Sequence, residues 1–416
     1  MTKVTIIGGG IIGLFTAYYL VQQDVEVTIL DQGSLSQGCS TGNAGMIVPS
    51  HIIPLASPGM ITKGLKWMLS PKSPFYIQPR LDKKLLQWCL LFYRSATNKH
   101  VQQSIPYLKN LGLLSKSLYI EFSKNHPDSM IGLEEKGLIM LYKTLEMEKE
   151  EIEMAHLANQ HGLEAQILSL KEVQDLEPEV KLNVRGAVHF TGDAHLDPSR
   201  LHGFLRDYLI AKGVKLIPHT EVIKFEKKDS VNLGKVITTS GNYQFDQLVI
   251  CAGAWSGVLA GKLGIRLPLL SGKGYSFMQE NQPSIKYPAI LTEHKVAVTP
   301  FGDSVRFGGT MEITNINQHI NQTRVKGIFE SIQPYYENFS PILPEQKEIW
   351  TGLRPCSPDG LPYIGPTKKL NNVFFGSGHS MMGVSLAPAT GKVLAAQILD
   401  KKIPFPADAF SPDRYS

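Results

Sequence analysis

Gly8, Gly10 and Gly13 stand in the spacing G-x-G-x-x-G, between the apolar run VTII and the stretch LFTAYYLVQQ. Each glycine has its own task in a phosphate-binding turn. The first permits the tight turn, the second leaves room for a pyrophosphate against the backbone, and the third lets helix and strand pack closely. The helix that follows aims its free N–H groups at the phosphates. Asp31 closes the next apolar run, where it can accept hydrogen bonds from a ribose and disfavours a 2′-phosphate. With Ile11 and Ile12 inside the turn and Gln32 beside the acid, these residues predict a dinucleotide site for NAD or FAD rather than NADP.

Two later stretches repeat the pattern of an apolar strand, a glycine turn and a helix. The first is VICAGAWSGVLAG, in which Cys251, Ala252, Gly253 and Trp255 form the turn. The second is residues 376–392, GSGHSMMGVSLAPATGK, with Gly378, His379, Met381, Met382, Gly383 and Val384 between strand and helix. Pro388 is comfortable only in a first helical turn, so this helix is expected to start near Leu386. Taken alone the stretch reads equally as a hinge. Placed after Gly8 and Gly253, it is a third strand-to-helix edge facing the same ligand. Residues 36–49, SQGCSTGNAGMIVP, are small and polar, and Ser40, Thr41, Asn43, Ala44, Gly45 and Met46 can offer donors along an extended cofactor. One G-x-G-x-x-G in a chain of 416 residues suits a flavoprotein better than an enzyme using two nucleotides.

The elements that must hold these turns are legible by periodicity. Residues 4–7, 25–30 and 214–217 are short apolar runs, as buried parallel strands require. Segments between 59 and 124 show helical spacing, and Trp67, Trp88 and Tyr93 within them read as core. The acidic run LEMEKEEIEM, followed by a helix end at Gly162, reads as a solvated face. Asp197 with Pro198 reads as a helix cap. Residues 221–226, 235–239 and 243–245 read as hairpin strands, with Val222 at the start of the first. Alternating runs from 264 to 344 predict a larger antiparallel sheet, and Arg306 on one of them reads as structural.

Net charge is +5 with basic residues dispersed, which argues against nucleic acid as a partner. Cys39, Cys89, Cys251 and Cys356 are far apart, with no CxxC and no Cys/His cluster for a metal. That pattern predicts a reduced, cytoplasmic setting. The glycines near the N-terminus would weaken a signal helix, and no run of about 18 apolar residues is present to span a membrane.

Taken in order, VTIIGGGIIGL, STGNAGMIVP, LASPGMITKGLKWML, GDAHLDPSRL, VICAGAWS, SGKGYSF, WTGLRPCSPDGLPYIGP and GSGHSMMGVSLAPATG resemble the D-amino acid oxidase superfamily of FAD enzymes over nearly the whole chain. The pattern is most similar to bacterial D-amino-acid dehydrogenases, while GVSLAPATG looks more like glycine oxidases and hydroxyproline-type dehydrogenases. The resemblance implies an α/β fold: a Rossmann-type FAD domain with a parallel sheet, interleaved with a substrate domain on a large, mostly antiparallel sheet with helices. The FAD domain would use about residues 1–52, 196–265 and 346–416, and the substrate domain about 53–195 and 266–345.

The resemblance also implies oxidative deamination of a D-amino acid, a cyclic one such as D-proline or hydroxy-D-proline included. Electrons would pass to a quinone or other respiratory carrier, with peripheral contact at the inner face of the membrane. The alternative acceptor is O₂, as in an oxidase acting on glycine, sarcosine or a D-amino acid. A binding protein that holds FAD without turnover is the reading from another class. Arg354 occupies the position of the family's carboxylate-binding arginine. Tyr275 is implied as a second carboxylate donor or a pocket wall, His379 as a neighbour of the flavin and His51 as a pocket residue. FAD is expected to be bound noncovalently, Cys356 notwithstanding.

Overall fold

The computed structural model describes residues 1–36, 38–280 and 282–416; Gln37, in the expected cofactor segment 36–49, and Asn281 lie outside the described residues. A six-stranded sheet runs in the order Tyr363–Thr367, Leu370–Ser377, Gln247–Ile250, Lys3–Ile7, Glu26–Leu30, Lys215–Ile217. All its pairs are parallel except the first. The parallel runs are apolar because both faces are covered: Ile6, Ile29, Val249 and Phe375 have no exposed surface. The helices Ile11–Val21 and Ala387–Ile398 pack on each other, and Pro198–Ala211 packs on the first of them.

Three neighbouring strands of this sheet, Lys3–Ile7, Gln247–Ile250 and Leu370–Ser377, therefore end at one edge, and the turns at Gly8, Gly253 and Gly378 follow them. The expected third edge is present. Its helix starts at Ala387 with Pro388 in the first turn. Open parallel sheets bind ligands outside the carboxyl ends of their strands.

A second, nine-stranded sheet has a continuous path that starts with Trp350–Cys356, Leu270–Glu280, Ser304–Thr314, Val296–Phe301 and Ala289–Leu291. It goes on through Leu138–Tyr142, Gly186–Phe190 and Ala165–Ser169, and Phe75–Ile77 pairs on Ser304–Thr314. Its pairing is mostly antiparallel, as expected; Phe75–Ile77 and Ala289–Leu291 contribute the parallel pairs. Trp350–Cys356, from the span 346–416, forms an end of this sheet's path. Conversely the helix Asn98–Asn125, from the span 53–195, puts Leu111, Tyr119 and Phe122 into the core around Ile11–Val21. Thr97 caps the helix by accepting from His100 N, and the helix runs on both sides of Pro106. The bond that Pro106 cannot donate would go to Gln102, which is exposed, so water can serve its carbonyl.

Some expectations about single residues are corrected. Trp88 is core and donates its indole N–H to Cys356 O at 2.9 Å, but Tyr93 is 68% exposed. Trp67 is half-buried on the wall of the central cavity. The acidic helix Leu145–Gln160 is not solvated all round, for Glu151 is buried. Helical spacing reveals a stripe; it does not say what covers it.

The contact between Ile11–Val21 and Ala387–Ile398 gives the first prediction. A Cβ on Gly391 would lie 2.6 Å from Phe15 C and 2.8 Å from Thr16 N, both backbone atoms. Gly391→Ala is expected to destabilise by about 1–3 kcal/mol in denaturant unfolding. Gly203→Ala, on a helix where a Cβ meets nothing within 4 Å, is expected to stabilise by about 0.5–1 kcal/mol. Equal effects of the two would disprove the tight helix contact.

Candidate active site

The first glycine turn is held by side chains from three other segments. Gly8 has φ +110°, and a Cβ on it would stand 2.3 Å from Cys251 O, so only glycine fits between the two strands. Asp31 accepts from Gly9 N through Oδ2 and from Gly33 N through Oδ1, each at 2.7 Å. Ser40 Oγ accepts from Ile11 N, and His202 Nε2 lies 3.0 Å from Gly9 O. Gly10 caps the helix, with no side chain of its own in the way. His202 was not foreseen; it comes from a helix 193 residues away, and no local pattern marks it.

A cavity of about 1640 Å³ opens across the three glycine edges and reaches the nine-stranded sheet. Ordinary ligand pockets hold roughly 300–1,000 Å³, so this one has room for an extended cofactor and a substrate. Of the residues expected at the site, all but four lie on its wall. Gly13 is behind the turn, where a Cβ would meet Gly8 O at 2.0 Å. Gly45 is packed on Leu196 O and Gly378 on the Tyr363 ring. Thr41 turns its carbonyl to Ser199 Oγ and Arg306. These four shape the wall from behind. Arg306 is structural as expected: Nη1 donates to Thr41 O at 3.1 Å and Asn43 O at 2.6 Å.

Arg354 projects from Trp350–Cys356 onto the cavity wall. Its Nη1 donates to Thr310 O at 2.5 Å, and it forms no ion pair among the described residues. Burial pulls the guanidinium below its ordinary pKa without bringing it near neutrality. The space for it is made by Gly274, since a Cβ there would be 2.2 Å from Nη1 and Nη2. Thr310 carries φ +65°, costly for a β-branched residue, and it is the carbonyl of this strained residue that receives Arg354. Tyr275, next to Gly274, donates its hydroxyl to Glu312 Oε2 at 2.8 Å and accepts from Asn321 N at 3.3 Å. Its one proton goes to Glu312 in this structure.

His379 is buried with Nε2 2.9 Å from Thr390 Oγ1, and burial pushes its pKa down to about 3. Its backbone bridges Cys356, which joins the third glycine edge to the strand of Arg354. His51 is also on the wall; burial, helped by Lys295, pushes it down to about 4. Both imidazoles are neutral near pH 7. Behind His51 runs a chain that sequence reading missed. Its Nδ1 is 3.2 Å from Ser50 Oγ, and Ser50 donates to Asp193 through Oγ at 2.5 Å and through N at 3.1 Å. Asp193 is fully enclosed, and burial raises its carboxyl to about 7. On the same wall Lys63 pairs with Glu150 at 2.7 Å, and buried Glu151 lies 3.9 Å from Lys295.

A parallel sheet with a glycine cradle at its carboxyl edge, open to a second sheet that offers a guanidinium with no ion pair among the described residues, defines a dinucleotide-cofactor enzyme of the α/β class. The chain belongs to the FAD dependent oxidoreductase family (DAO), whose model matches residues 3–397. A D-amino acid dehydrogenase of Helicobacter pylori is 30% identical over 397 residues, covering 94% of each chain. One of Bradyrhizobium diazoefficiens is 28% identical over 429 residues, covering 100% of this chain and 99% of the relative. Glycine oxidase from Geobacillus kaustophilus has the same fold, with a TM-score of 0.80 over 100% of both chains at 23% identity. The protein is thus an FAD-dependent oxidoreductase acting on amino acids, and the cradle of Gly8, Gly10, Asp31 and the helix start at Ile11 fits that cofactor.

Asp193 supplies a pH test. Its folded pKa lies above the unfolded value, so the native state holds a proton that the unfolded state gives up; stability falls as pH rises from about 4 to 7 and levels off beyond. Asp193→Asn removes that term. Its melting temperature relative to the wild type should climb from pH 4 to 7 and then stay level; a constant difference would show that Asp193 is ionised throughout.

Proposed function

We propose that the protein is a D-amino acid dehydrogenase that binds FAD noncovalently and hands electrons to a quinone or another respiratory carrier. The observation that carries this reading is Arg354, a half-buried guanidinium on the cavity wall with no acidic partner among the described residues. Leaving it there without an anion is costly; a substrate carboxylate supplies two parallel acceptors for its planar fork. In this reading the FAD-binding part is 1–52, 196–265 and 346–416, and Arg354 reaches from it into the substrate part.

Bound FAD supplies the two-electron acceptor for the substrate's Cα–H bond. The chain's own residues bind and orient. Arg354 fixes the carboxylate and so the direction of Cα. The start of Ala387–Ile398, just past wall residues Met382, Gly383, Val384 and Leu386, offers positive dipole to charge developing nearby. His379, neutral and tied to Thr390, keeps the third glycine edge in place without adding charge. Cys356 lies off the wall, which supports noncovalent cofactor binding. The imine product takes up water to give a 2-oxo acid and ammonia; a cyclic substrate such as hydroxy-D-proline gives a cyclic imine first.

Anaerobic mixing with a panel of D-amino acids should bleach the flavin absorbance, and dye reduction should outrun peroxide formation in air. Peroxide at the turnover rate would make the protein an oxidase, and no bleaching by any member would leave an FAD-binding protein without amine turnover. Arg354→Ala should raise KM by roughly a hundredfold, the loss of charged hydrogen bonds worth about 3 kcal/mol. Gly274→Ala, which crowds the guanidinium out of place, should raise KM in the same direction while the flavin remains bound. An unchanged KM in either variant removes Arg354 from the carboxylate role.

A further inference from the structure

Asp193 is a carboxyl for which binding of cofactor and substrate carboxylate has no use. It is 1% exposed, its side chain accepts only from Ser50, and it forms no ion pair among the described residues. Lys116, on the helix Asn98–Asn125, is the charged group that acts on it, and that lysine is paired with Glu135 at 3.1 Å. A buried carboxylate without a cation against it favours taking up a proton. Ser50 and His51 connect this carboxyl to the cavity.

The hydrogen bonds say which way a proton can travel. Ser50 gives its one hydroxyl proton to the ionised Asp193, so its oxygen is left to accept from His51 Nδ1–H at 3.2 Å. A neutral ring protonated at Nδ1 presents Nε2 as a bare acceptor. Nε2 has no hydrogen-bond partner among the described residues, and His51 lines the cavity. Lys295, near Glu151, is the charge that acts on the ring, and it opposes an imidazolium. His379 offers no such route, because its Nε2 ends on Thr390, a hydroxyl with no carboxyl bonded to it among the described residues.

The helix Asn98–Asn125 seats His51 and the third glycine edge together. Gly112 lies so close to Pro49 that a Cβ on it would be 3.1 Å from Pro49 Cα. Further along, Ser115 donates to Ser385 O at 2.5 Å and Tyr119 to Val384 O at 2.6 Å. Val48 N donates to Ser385 Oγ at 2.9 Å. Arg354 is tied to the same edge by the bridge from Cys356 to His379. One edge thus carries a guanidinium suited to a carboxylate and an imidazole suited to an ammonium hydrogen.

We propose that His51, Ser50 and Asp193 relay the substrate's ammonium proton into the protein, where Asp193 holds it. The inference rests on the dehydrogenase reading above. An N–H bond of the ammonium breaks as a bond to His51 Nε2 forms. Nδ1 passes its proton to Ser50 Oγ, and Ser50 passes its own to Asp193. The substrate is left as the free amine and Asp193 as a neutral acid, with no electrons transferred. His51 is the catalytic residue of the three; Ser50 and Asp193 act through it.

The test is anaerobic bleaching of the purified flavoprotein by a D-amino acid at low concentration, followed across pH. In the wild type the rate should rise as Asp193 ionises, around pH 7, and then level off. Asp193→Asn and Ser50→Ala depend on free amine from solution, so their rates should still be climbing at alkaline pH. Near pH 8 each should be slower than the wild type by about a hundredfold. At high pH both should approach it, which a damaged site would not do. Infrared difference spectra read the carboxyl itself. Near pH 8 the C=O stretch of a protonated carboxyl should grow when substrate is added to the wild type, and Asp193→Asn should lack it. A wild-type pH profile in both variants, or no such stretch in the wild type, would overturn the relay and leave the dehydrogenase reading standing. Bleaching by no D-amino acid at any pH would sink that reading and the relay with it.

Discussion

A Cβ on Gly8 would meet Cys251 O at 2.3 Å, and one on Gly13 would meet Gly8 O at 2.0 Å. The two approaches press the first strand against its neighbour and the first helix against the turn. Gly391 repeats the device one layer out, bringing Ala387–Ile398 onto Ile11–Val21. Three backbone segments can then finish side by side at one sheet edge, close enough that side chains would only be in the way. The cavity exists because these contacts are made by backbone, and Asp31, Ser40 and His202 then reach the first turn from other segments.

Under the proposed function substrate recognition comes from the other sheet, and the chain connects the two with little slack. Trp350–Cys356 pairs in the nine-stranded sheet, and Tyr363–Thr367 already belongs to the six-stranded one. The bridge from Cys356 to His379 closes the loop so formed. Arg354 is thus tied by backbone on one side to the third glycine edge and braced on the other by Gly274 and Thr310. Moving its backbone requires moving a strand, and the guanidinium itself is held by Thr310 O.

The sequence made the local half of this legible. A glycine triplet, the acid that follows it and the proline of a first helical turn act over a few residues, and each landed where its own physics puts it. The relations missed are those that span the chain. Gly274 and Arg354 meet only through strand pairing, Ser50 and Asp193 are 143 residues apart, and His202 reaches Gly9 from a separate helix. Tyr275 lies on the cavity wall, yet the destination of its hydroxyl depends on Glu312 across the sheet. Trp67, Tyr93 and Glu151 failed for a single reason. Apolar or acidic spacing identifies a face, and whether that face meets protein, cavity or solvent is decided by elements elsewhere.

The charges around the cavity follow one logic. Burial holds His51 and His379 neutral, so they add little field near neutral pH, and raises Asp193 to about 7, where it is partly protonated. Lys63 is matched by Glu150, and Lys295 stands near Glu151. Arg354 forms no ion pair among the described residues, and its guanidinium cannot discharge by losing its proton. Under the proposed function a zwitterionic amino acid is drawn by its carboxylate, while the neutral imidazoles of His51 and His379 offer its ammonium no charge. Under the proposed function that asymmetry is useful: oxidation at Cα proceeds from the free amine, and a site that binds the carboxylate strongly and the ammonium weakly lowers the cost of shedding the amine's proton.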